Sequence, residues 1–146
     1  MLKLRPTATI IFLSTAIGLL AASCADTRYS QCKQIIQISI QVKGEIEKLC
    51  QDCESENSQE ALQVADVMES SAAKMAAIEV DYEELQGYQG GFVELYQGWS
   101  QATRDFVEAL NQKDIKAAQL AKEKLQQFGS KEKEIVDGIN NYCNSN

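Results

Sequence analysis

The 146-residue chain contains no histidine. That absence removes His-based general-base catalysis, Ser-His-Asp and Cys-His nucleophiles and imidazole metal ligands. It also removes the Glu-x-x-His pairs that hold di-iron centres in four-helix bundles. Proline occurs once, at Pro6, so no later position loses a backbone donor to its ring. Glycine is sparse outside one cluster, Gly87, Gly90 and Gly91. Val, Ile and Thr are outnumbered by Ala, Gln, Glu, Lys and Leu, the composition of long helices. There is no glycine-rich nucleotide loop, no low-complexity tract and no internal repeat. Beyond the N-terminal segment, no apolar run reaches membrane-spanning length.

That N-terminal segment is the most specific feature present. Lys3 and Arg5 form a basic head, residues 9–20 form an apolar run, and Ala21-Ala22-Ser23 place small side chains directly before Cys24. The order is that of a secretory signal. A cysteine after the small residues resembles the lipobox of bacterial lipoproteins, although Leu20 and Ala21 stand one place off the usual pattern. The resemblance implies cleavage before Cys24 and acylation of its thiol. A plain cleaved signal and a retained anchor are the alternatives. The expected organisation is therefore a signal peptide over residues 1–23, a lipidated tether over 24–28 and one folded domain over 29–146.

Removing the signal leaves 123 residues, enough for a single core. The mature balance becomes 12 basic against 21 acidic residues, a charge of −9. That sign repels phosphate backbones and anionic headgroups, so nucleic-acid binding is excluded and membrane contact is assigned to the lipid. Each buried methylene of an acyl chain contributes about 0.8 kcal/mol, and two chains anchor stably.

Apolar periodicity predicts four helices. Ile35, Ile38, Val42, Ile46 and Leu49 form one stripe over residues 29–50, although residues 36–42 also alternate as a strand would. Asn57 with Glu60 has capping-box spacing and opens a second helix reaching Leu85, with Val64, Met68, Ser71, Met75, Ile78 and Tyr82 on its seam. The three glycines then predict a turn. A third helix follows over 92–110, carrying Phe92, Tyr96, Trp99, Thr103, Phe106 and Leu110 on one face. Asp114 caps a fourth, whose stripe is Ala118, Ala121, Leu125, Phe128, Ile135, Ile139 and Tyr142, with a kink or restart at Gly129-Ser130. The expected fold is an all-α, up-down-up-down four-helix bundle stapled by disulfides.

With Cys24 acylated, Cys32, Cys50, Cys53 and Cys143 remain, an even number that reads as two bridges in an exported domain. Cys32 and Cys50 lie about 27 Å apart along a helix, beyond the roughly 4.4–6.8 Å that a disulfide spans. In this topology the chain ends meet, so Cys32 should join Cys143, leaving Cys50–Cys53 as a local bridge. The rival reading of Cys50 and Cys53 as a redox pair lacks a thioredoxin-like βαβ unit, and Asp52, Glu54 and Glu56 oppose thiolate formation. A four-cysteine zinc site is opposed by the same distances.

The acidic groups Glu45/Glu47, Asp81/Glu83/Glu84 and Glu132/Glu134 read as solvated helix faces rather than paired acid and base catalysts, and none has the spacing of a calcium loop. No catalytic residue, metal ligand or cofactor is assigned. Tyr82, Tyr88, Phe92, Tyr96 and Trp99 concentrate near the glycines. Tyr88, off the seam and in the predicted turn, is the candidate contact for a partner.

Cys24 followed by Cys32-Lys33-Gln34-Ile35-Ile36, together with Leu85-Gln86-Gly87-Tyr88-Gln89, Phe92-Val93-Glu94-Leu95-Tyr96 and Asn141-Tyr142-Cys143, resembles small cyanobacterial lipoproteins of unassigned function. Lipid-anchored photosystem II subunits such as the Q-type extrinsic protein are similar in architecture alone. The resemblance implies a helical, tethered protein on a periplasmic or thylakoid-lumenal face and brings no catalytic residues. The expected role is non-enzymatic: an accessory or interaction protein of a membrane-associated complex. A small-ligand carrier or sensor using the bundle core is the competing class, and an exported redox protein stands last.

Overall fold

A computed structural model describes residues 27–50 and 58–145. The signal segment with Cys24, the cap at Asn57, and Cys53 lie outside the described residues. The described residues form four helices: α1 (Arg28–Leu49), α2 (Ser58–Ala76), α3 (Glu83–Asn111) and α4 (Ile115–Asn144). They run up-down-up-down, and there is no strand among the described residues.

Local chemistry accounts for the helix starts. Thr27 is extended at the head of α1, and its hydroxyl accepts a hydrogen bond from Ser30 N at 3.3 Å. Asp114 heads α4 as its spacing predicts, accepting from Ala117 N at 3.0 Å. The strand-like alternation of residues 36–42 resolves as helix. Ile35 and Val42 are buried seven residues apart, while Ile40 faces solvent.

Two breaks differ from the periodic pattern. The turn predicted at Gly87–Gly91 is helical, and the chain turns earlier, at residues 77–82. Side-chain amides explain the position. Gln89 Nε2 donates to the carbonyls of Met75 and Ile78, each at 2.8 Å, and Gln86 Nε2 donates to Val80 O at 2.8 Å. Met75 O is one of the orphans that the end of α2 creates, and the other two carbonyls belong to the linker. Tyr82 therefore flanks α3 from outside and leaves the core seam. The restart predicted at Gly129-Ser130 is likewise absent, and α4 continues through both residues.

Two helical glycines serve packing instead. Among the described residues no glycine has a positive φ. A Cβ on Gly138 would lie 2.7 Å from Tyr88 Cε1, and one on Gly98 would collide with the Phe128 ring. Each helix thus seats an aromatic of the other on a bare backbone. A helical glycine costs about 0.5–1 kcal/mol relative to alanine, and the aromatic contact offsets it.

The core holds Ile35, Met75, Leu85, Phe92, Leu95, Tyr96 and Ile139, with Trp99, Phe128 and Tyr142 packed against it. The α2–α3 and α3–α4 interfaces are extensive. By contrast α1 lies chiefly on α2 and only brushes α3 and α4. Cys32 and Cys143 are disulfide-bonded with Cα atoms 5.9 Å apart, stapling the second turn of α1 to the last of α4. From that staple α1 extends about 26 Å to Leu49, whereas α4 extends about 42 Å to Ile115. The far end of the α3–α4 hairpin therefore outruns α1 by about 16 Å.

Candidate functional site

The carboxylates singled out by sequence, Glu45, Glu47, Asp81, Glu83, Glu84, Glu132 and Glu134, all lie on exposed residues. Among the described residues no cluster of Cys, Asp and Glu has the arrangement to hold a metal ion. Glu132, although exposed as a residue, faces the buried Tyr96. Partial desolvation pushes its carboxyl above the usual range, and the nearby Lys43 charge acts against that. The Tyr96 phenol is pushed far upward by burial and then by the Glu132 charge, so it stays neutral in ordinary solution. Cys50 is disulfide-bonded, and Cys53, its predicted partner, lies outside the described residues.

Two surfaces stand out, one at each end of the bundle. At the stapled end, Tyr82, Glu83, Glu84, Gly87, Tyr88 and Tyr142 line an open depression of about 780 Å³. Tyr88 belongs to the body of α3, not to a glycine turn. It is half-buried, lies over Gly138 and packs against Tyr142 with ring centroids 6.0 Å apart. It joins two helices before it could meet a partner. Arg28 places its guanidinium 5.3 Å from the centre of the Tyr142 ring and donates to Ser145 O, closing one side of this end.

The same end carries a polar clasp that periodicity does not reveal. Gln31 is fully buried. Its Nε2 donates to Asp81 Oδ2 at 2.7 Å, and its Oε1 accepts from Asp81 N at 3.0 Å. Reading α1 as an apolar stripe passes over Gln31, because the residue is polar and its partner is 50 positions away.

At the opposite end, Phe106, Leu110, Ile115 and Ala118 form a shallow apolar groove between α3 and α4. Leu110 is 44 % exposed, Ile115 73 % and Leu120, on the neighbouring flank, 53 %. The sequence seam assigns Phe106 and Leu110 to the core, whereas the residues buried along this part of α3 are Ala102, Val107 and Ala109. The buried face therefore departs from the predicted seam here, and Leu110 is left exposed. The tip is closed by Lys113 in the left-handed region (φ 57°).

Comparison of the chain with protein-family models, with curated proteins and with solved structures finds no match. No helix among the described residues is long and apolar enough to cross a membrane.

Proposed function

We propose that this is a lipid-anchored extracytoplasmic protein that acts without catalysis, by binding a protein partner within a membrane-associated complex. The anchor is Cys24, on the basic-apolar-small-Cys order of residues 3–24. The observation that carries the contact reading is the cluster of exposed aliphatic side chains, Leu110, Ile115 and Leu120, at the far end of the α3–α4 hairpin. Aliphatic groups held in water at the tip of a rigid hairpin gain from burial against another protein, at about 25 cal/mol per Å². The core between the two ends is filled by Phe92, Tyr96 and their neighbours, which favours contact over carriage of a small ligand in the bundle. The tip replaces Tyr88 as the leading contact, because Tyr88 is committed to the α3–α4 interface.

Pull-down from detergent-solubilised native membranes tests this reading. Ile115→Asp should keep helicity and melting temperature while partner recovery falls by an amount typical of an interface anchor, on the order of 1–3 kcal/mol. Equal recovery with Ile115→Asp and Leu120→Asp would exclude the tip as the contact. Cys24→Ser should release the protein into the soluble extracytoplasmic fraction.

A further inference from the structure

The five tyrosines are distributed unevenly. Only Tyr96 is in mid-bundle. Tyr29 stands on the first turn of α1, Tyr82 at the start of α3, Tyr88 on the second turn of α3 and Tyr142 on the last turn of α4, all around the stapled end. Two of them reach solvent, Tyr29 at 73 % and Tyr82 at 40 %. The aliphatic side chains at the tip contrast with this. Tyrosine combines an apolar ring with a hydroxyl that must stay hydrated, the combination favoured where hydrocarbon gives way to water at a bilayer surface.

The tether fixes which end can meet the bilayer. Thr27, the cap of α1, lies three chain steps from Cys24, and a fully extended chain advances at most about 3.6 Å per residue. The head of α1 thus lies within about 11 Å of the acylated sulfur. Rigid attachments hold the rest of that end to it: the Cys32–Cys143 bridge, the Gln31–Asp81 clasp, and Arg28 on Tyr142 and Ser145. The surface is not basic. Arg28 is occupied, while Asp81, Glu83 and Glu84 are exposed. That balance suits an electroneutral headgroup layer and disfavours an anionic one.

Resting on the lipid-anchor reading, we infer that the stapled end seats on an electroneutral bilayer surface with Tyr29 and Tyr82 in the headgroup layer. The bundle then stands upright, and the α3–α4 tip is held about 40 Å away in the aqueous phase. The bilayer contacts a tyrosine-ringed, covalently fixed base, and the partner surface is presented at the opposite pole.

The test uses the full acylated protein in phosphatidylcholine vesicles containing brominated acyl chains, with acylation of Cys24 established by mass spectrometry. The single native tryptophan, Trp99, lies mid-bundle and serves as the reference. Tyr29→Trp and Tyr82→Trp should each add emission that bromine quenches, and Ile115→Trp should add emission quenched no more than Trp99. Replacing part of the phosphatidylcholine with phosphatidylglycerol should reduce quenching at both tyrosine positions. If Ile115→Trp is quenched as strongly as Tyr29→Trp, or neither tyrosine position is quenched in acylated protein, the seated orientation is overturned while the anchor stands. If mass spectrometry finds Cys24 without acyl chains, the anchor reading fails, and this orientation fails with it.

Discussion

The stapled end and the free tip are tied differently: the first has a disulfide and a buried amide clasp, whereas nearer the second the ties between helices are surface ion pairs, such as Arg104 with Asp66 and Glu69. A disulfide, a buried amide clasp and a cation held over a ring join α1 to the linker and to α4. At the tip, α3 and α4 are joined by one tight turn and carry exposed aliphatic residues. One pole is fixed by covalent and polar chemistry, and the other is left with unspent apolar surface.

The largest expected effect tests the fixed pole. The Cys32–Cys143 bridge spans 111 residues of sequence, for which chain-entropy estimates give about 4–5 kcal/mol. Cys143→Ala should lower stability by about that amount in denaturant unfolding, with α1 losing hydrogen-exchange protection first because it packs least on the other helices. A loss below about 1 kcal/mol would mean that packing and the Gln31 clasp hold α1 unaided.

Next comes the ring that crosses from α3 to α4. Tyr88→Ala removes a half-buried aromatic from Gly138 and Tyr142, and should cost about 2–3 kcal/mol, below the loss for a fully buried ring. Thermal melting measures it. An unchanged melting temperature would return Tyr88 to the surface role that its sequence position implies.

A smaller change of opposite sign sharpens the other pole. Lys113 holds a backbone conformation that side chains with a Cβ adopt at a cost. Lys113→Gly should stabilise the tip by about 0.5–1 kcal/mol, read from equilibrium unfolding. A destabilisation would show that the lysine side chain contributes more than its backbone strain removes.

The smallest effect is a pH dependence. Glu132 has its folded-state carboxyl pKa raised by desolvation. Its contribution to stability is therefore fully present below the ordinary carboxylate value and is lost as pH rises through the raised one. Because the residue is exposed, solvent screening keeps the effect slight. Stability of Glu132→Gln relative to the native protein should grow a little as pH rises from that range toward neutrality. A difference that is flat with pH would contradict the shift.

Much of this architecture is legible in the residue order. The stripe through Ile35 and Val42, the cap at Asp114, and the opposition of Cys32 and Cys143 all follow from spacing and from the geometry of antiparallel helices. What spacing misread was glycine. Gly87 and Gly91 resemble a turn because propensity is local, yet both lie within α3, and the glycines that packing does explain, Gly138 under Tyr88 and Gly98 under Phe128, are set by contacts across the interface. The true turn at 77–82 is set by Gln86 and Gln89, whose amides act at distances that no apolar pattern encodes. The tip stayed hidden for a related reason. Leu110 follows the predicted seam, yet Val107 and Ala109 take the buried positions beside it.

The bridge between Cys32 and Cys143 also changes what a cut can do. It turns the domain into a covalent ring, with short tails at one place and almost the whole fold inside the loop. A protease that severs the backbone once, anywhere between those two cysteines, opens the ring without releasing a fragment. The pieces stay joined through sulfur at the base of the bundle, and a nicked molecule runs as two chains only after reduction.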